Sequence, residues 1–165
     1  MMSSKIIGLT VLAMFAVGGC AMDGNMASAP TRSSVPAKNA AGYVTEARDG
    51  RLWVFLAESK EYTDFKAKGE PAQVVTRIGE GPGGMSLRSV NGAVIDGYLL
   101  SKEGFATEVR DGRLWVFKVG SKEYLDFKAK GEPAQIITRI GEGPNGMSLR
   151  SVDMATIDAY LQAKS

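Results

Sequence analysis

A chain of 165 residues, 44% of them apolar, fits one globular domain or two small ones and excludes wholesale disorder. Its 20 basic and 18 acidic residues are interspersed, so the one-sided basic footprint of a nucleic-acid binder is missing. There is no histidine, and Cys20 is the single cysteine, which removes the usual ligands of zinc and most transition metals, the His base of the common triads, and any intrachain disulfide.

Residues 1–19 read as a secretory signal. Lys5 is followed by an apolar run, Ile6 to Val17, without a charge. As a helix it would be roughly 18 Å long, too short for a hydrocarbon core of about 30 Å. Small residues then lead to Val17-Gly18-Gly19-Cys20, which resembles the lipobox of bacterial lipoproteins. The resemblance implies cleavage before Cys20 and acylation of that thiol with more than one chain, enough for stable membrane attachment. It also implies sorting to the outer membrane more readily than the inner one, since Ala21 and not Asp follows the cysteine. Two other readings stay open. Gly19-Cys20-Ala21 also fits an ordinary signal-peptidase site that would release a soluble secreted chain, and an uncleaved anchor is conceivable although the apolar run is short. Residues 20–41, rich in Ala, Ser, Asn, Gly and Pro, read as the lipidated N-terminus and a flexible tether with a reach of roughly 25 Å.

The remainder is one unit written twice. Residues 42–102 align without a gap onto 104–164, at an offset of 62, with about 45 of 61 positions identical. The expected domains are therefore repeat 1 over 42–103 and repeat 2 over 104–165. Identity between such copies does not mark functional sites, because a recent duplicate is alike everywhere.

Within each repeat the elements follow in order. Asp49-Gly50 predicts a two-residue hairpin turn that sets Ala47 opposite Leu52 and Thr45 opposite Val54. Tyr43, Thr45, Ala47, Leu52 and Val54 then share one face, and Val44, Glu46, Arg48, Arg51, Trp53 and Phe55 the other. Ser59 (Ser121 in the second copy) predicts the cap of a short helix closed by Gly69 (Gly131), with Tyr62 and Phe65 facing the sheet. A second strand pair, Gln73 to Ile78 and Met85 to Ser89, is expected around the Gly-rich segment 79–84. A last helix carries Ile95, Tyr98 and Leu99 and is capped by Asn91 or Asp153. The predicted fold is α+β, two tandem ββαββα repeats with antiparallel hairpins. Because a unit of about 60 residues is marginal alone, the two are expected to share one core.

Little in this pattern carries chemistry. The segment 79–84 lacks the Gly-Lys-Ser/Thr of a phosphate loop and is flanked by strands, so it reads as a connection. Residues 50–71 resemble in shape the strand–helix part of YHS-type metal-binding modules, but without the Cys residues those modules use, and no metal or cofactor is expected. Carboxylates such as Glu46, Asp49, Glu70 and Glu80 read as solvated surface. The one candidate ligand site is a cation–π platform of Arg51, Trp53 and Arg77 with Arg113, Trp115 and Arg139, placed in a cleft between the repeats. Burial of both Trp residues in packing is the competing expectation. The chain is therefore expected to be a non-enzymatic, membrane-tethered envelope protein that binds a protein or another envelope component. A small-ligand-binding lipoprotein using the inter-repeat cleft is the alternative, and a carboxylate-based enzyme is a distant third.

Overall fold

The computed structural model describes residues 38–164; the signal segment, Cys20 and most of the expected tether lie outside the described residues. In the first repeat, Asp49 and Gly50 take φ of 49° and 70°, the left-handed pair that a tight hairpin turn requires. Around them β1 (Tyr43–Arg48) and β2 (Arg51–Leu56) pair antiparallel in the expected register, Ala47 opposite Leu52 and Thr45 opposite Val54. Next, α1 (Lys60–Lys68) begins at Ser59, whose side chain accepts the Tyr62 amide, and closes at Gly69 with φ 86°. β3 (Val75–Arg77) and β4 (Ser86–Ser89) pair antiparallel across the Gly-rich connection, and α2 (Gly92–Leu99) follows from its cap Asn91.

The second repeat contributes β5 (Phe105–Arg110), β6 (Arg113–Lys118), α3 (Lys122–Lys130), β7 (Ile137–Arg139), β8 (Ser148–Ser151) and α4 (Met154–Gln162) in the same order. The fold is α+β, with two tandem ββαββα units. What the local signals did not contain is the seam between the two hairpins of a unit. β2 and β4 run side by side in parallel, giving the sheet order β1-β2-β4-β3 and its repeat β5-β6-β8-β7.

The parallel seam puts β2 in the middle of its sheet, with a helix over each face. Trp53 and Phe55 meet Phe65 and Tyr62 of α1 on one side. Leu52, Val54 and Leu87 meet Ile95 and Tyr98 of α2 on the other. This is why β2 reads as the unbroken apolar run Leu52-Trp53-Val54-Phe55, without the alternation of a half-solvated strand. Each of these side chains contributes about 1.5–3 kcal/mol by leaving water.

The two units are joined through α2, which packs on its own sheet and on β5 as well. At the joint the Tyr43 hydroxyl donates to the Thr107 carbonyl at 2.7 Å, and the Thr107 hydroxyl donates to the Gly97 carbonyl at 2.9 Å. Ala41 forms a parallel bridge with Ala106, and the Tyr160 hydroxyl donates to the Leu100 carbonyl at 2.7 Å. Four buried apolar clusters result, two to a unit, and Leu100 carries the first repeat into a cluster of the second. The cover supplied by α2 explains an asymmetry between near-identical strands. Phe105 to Glu108 are buried, whereas their counterparts Tyr43 to Glu46 are half-buried.

Candidate functional site

The structure does not bring the six candidate residues to one cleft. Trp53 and Trp115 are both 0% exposed and lie in separate clusters, each under the first helix of its own repeat. The guanidinium near each indole is that of the cross-strand neighbour. Arg88 lies 5.5 Å from the Trp53 ring and Arg150 lies 5.3 Å from the Trp115 ring. Arg51 sits at the exposed end of β2 opposite Arg48, and Arg113 occupies the same place opposite Arg110. Arg77 is held by Asp96 at 3.0 Å. Arg139 is paired with Asp158 and with Glu142, the latter at 2.9 Å. The physical reason is the parallel seam: a strand covered on both faces cannot present its indole to a ligand.

A different feature appears once in each unit. Because β2 and β4 are parallel, and each is followed by a helix on the opposite face, the starts of α1 and α2 emerge at the same end of the sheet. Between them lies a cleft, at the switch point where open α/β sheets commonly take their ligands. In the first repeat it holds 140 Å³ and is lined by Phe55, Ser59, Glu61, Ser89, Val90 and Asn91, among others. In the second it holds 170 Å³, with Phe117, Ser121, Glu123, Ser151, Val152 and Asp153 at the equivalent positions. Ser89 and Ser151 are 0% exposed, and their hydroxyls have no hydrogen-bond partner among the described residues.

The two clefts differ at their rims. Leu56, Asn91 and Val94 of the first are replaced by Lys118, Asp153 and Thr156 in the second. Asp153 caps α4, accepting the Thr156 amide at 2.8 Å and the Thr156 hydroxyl at 2.7 Å. The hydroxyl bond from Thr156 holds the Asp153 carboxyl below its ordinary range, against the opposing effect of partial burial. Every helix cap is legible in the sequence, whereas the clefts are not. The available signal was that Ser59 and Asn91 each follow a strand closely, so a parallel arrangement of those strands forces both helix starts to one end.

Each unit also exposes one large apolar side chain just beyond its short edge strand: Ile78 is 84% and Ile140 85% exposed. Among the described residues, no group of three or more His, Cys, Asp or Glu residues is placed to hold a metal ion. No helix there is long and apolar enough to cross a membrane. The chain matches no family model, no curated protein and no solved structure.

Proposed function

We propose that this chain is a membrane-anchored lipoprotein of the cell envelope, lipidated at Cys20, whose paired units bind a protein or another envelope component without catalysing a reaction. The observation that carries the reading is the sequence Val17-Gly18-Gly19-Cys20 directly after a charge-free apolar run too short to span a bilayer. Burial of both indoles favours partner binding over an aromatic ligand platform. The exposed Ile78 and Ile140 supply two equivalent apolar contact points just beyond the edge strands, and sheet edges are common sites of partner engagement. Ala21 at the position after the cysteine favours the outer membrane over the inner one, by the resemblance to bacterial lipoproteins.

Fractionation tests the anchor. The parent chain is expected in the envelope pellet and to incorporate a clickable fatty acid, and Cys20→Ser is expected to be unlabelled and in the soluble fraction. Equal sedimentation of the two would remove the basis of the proposal.

A further inference from the structure

We infer that a second copy of this chain docks head to tail on the outer face of α4 through its β1 edge, repeating the joint that α2 and β5 make inside one chain. The surface is separate from the Ile78 and Ile140 contact points, and the inference holds with or without the anchor. The internal joint is the template. On α2, Gly97 is buried and Ala93 and Leu100 are half-buried. The strand comes so close there that a methyl group at Gly97 would lie 3.4 Å from the Val109 nitrogen, and the Gly97 carbonyl accepts the Thr107 hydroxyl at 2.9 Å. The same three places on α4, at an offset of 62, hold Ala155, Ala159 and Gln162, and all three are exposed.

β1 is likewise the uncovered counterpart of β5. Tyr43 to Glu46 are half-buried where Phe105 to Glu108 are buried. Ala106 is bridged on its outer edge by Ala41, and among the described residues its counterpart Val44 has no such neighbour. One chain therefore carries both halves of the joint unused, a helix stripe on its second unit and a strand edge on its first. Because the halves are different surfaces, the contact passes from copy to copy and does not close on a two-fold axis. The differences between the units leave it open. Ala159 fits its own unit because Phe105 lacks the hydroxyl that Tyr43 places against Gly97. Thr45 retains the hydroxyl with which Thr107 reaches the helix carbonyl. Three features make the copy weaker than the original. Gln162 stands where Leu100 enters an apolar cluster, and Phe105 cannot make the bond that Tyr43 makes to the Thr107 carbonyl. The residues after Gln162 must also yield their path to the segment ahead of the incoming β1. Association is therefore expected to depend on concentration.

Thiol cross-linking of the full-length chain in a Cys20→Ser background, which has no other cysteine, tests the order of the contact. With a short bismaleimide, a mixture of Thr45→Cys and Ala159→Cys chains is expected to give a dimer, and neither variant alone to do so. A chain with both substitutions is expected to give a ladder of dimer, trimer and larger species. In sedimentation velocity the mass of the thiol-free chain should rise with concentration. Ala159→Glu, at an exposed position, should abolish that rise while circular dichroism shows the fold intact. A mixture without dimer would overturn the inference, as would a monomer mass at every concentration. So would Ala159→Cys linking to itself as readily as to Thr45→Cys, the mark of a two-fold contact.

Discussion

At Gly97 a methyl group would come within 2.1 Å of the Tyr43 hydroxyl, in the middle of a helix where alanine is normally preferred. The second repeat solves the same packing problem differently, with Ala159 and Phe105 at the equivalent positions. Tyr43 and Gly97 are therefore a matched pair: the hydroxyl occupies the space of the missing methyl and reaches Thr107 across the joint. Burial, with Glu108 adding to it, pushes that hydroxyl well above the ordinary tyrosine range, so it stays a donor throughout the neutral range. Gly97→Ala is expected to destabilise the chain by about 1–3 kcal/mol through overpacking. Tyr43→Phe alone should cost about 1 kcal/mol for the lost bond. The double variant is expected to be more stable than Gly97→Ala alone, a coupling that urea denaturation would read directly. If the double variant were the less stable, the two residues would not be a packing pair. Gly97 reads in the sequence as a helix defect, because the atom it makes room for belongs to a strand 54 positions earlier.

On the scale of single elements, α1 and α3 carry the same charge device. Asp64 lies between Lys60 and Lys68, four residues to either side, with the Lys68 contact at 2.9 Å. Asp126 is flanked alike by Lys122 and Lys130. The hydrogen bond from Lys60, reinforced by Lys68, holds the Asp64 carboxyl at about 2, and Asp126 sits at about 2 for the same reason. A carboxyl depressed by folding stabilises the fold in full above its unfolded value, near 3.9, and loses that effect as pH falls toward the folded value. Melting temperature should therefore drop between about pH 4 and pH 2, and Asp64→Asn with Asp126→Asn should flatten that limb by lowering the neutral melting temperature toward its acid value, a small change because the ion pairs are solvent-screened. An acid limb of the same slope in the double variant would mean that other carboxylates control it. The residues that follow the edge strands make a contrasting case. Ile78→Ser and Ile140→Ser remove side chains that touch little, so stability should shift by no more than about 0.5 kcal/mol. Cross-linking in envelopes should nonetheless yield fewer partner adducts. Unaltered adducts would move the contact surface elsewhere.

For the molecule as a whole, the joint decides whether two small units behave as one. Each unit has its own sheet and its own pair of clusters, yet α2 is buried on one side by β5 and contributes Leu100 to the neighbouring core. Expressed alone, residues 42–103 would expose that side of α2 and should melt at a lower temperature and less cooperatively than the full chain. A stable, cooperatively melting monomer would show that the joint is dispensable. The helix ends add to the connection. The Lys102 ammonium meets the carbonyls of Tyr160 and Ala163 at 3.0 and 2.7 Å, and Lys38 meets those of Leu99 and Ser101 at the corresponding end of α2. Cations at these C-terminal ends oppose the helix dipole, so residues just ahead of each hairpin lock down the helix that covers it.

The sequence by itself determined the duplication, which is plain identity at an offset of 62, and it determined the hairpin register at Asp49-Gly50, all four helix caps and the α+β class, because those depend on residues within a few positions of one another. It also contains the segment Val17 to Cys20, whose resemblance to a lipobox is the basis of the proposed membrane anchor. Tertiary structure alone decided that β2 and β4 run parallel, and three things follow from that pairing. The indoles of Trp53 and Trp115 are enclosed, their arginine neighbours become Arg88 and Arg150, and two helix starts are brought around Ser89 and Ser151. A strand's partner is chosen by burying both of its faces at once, and that is a property of chain segments more than thirty residues apart, which no local pattern encodes.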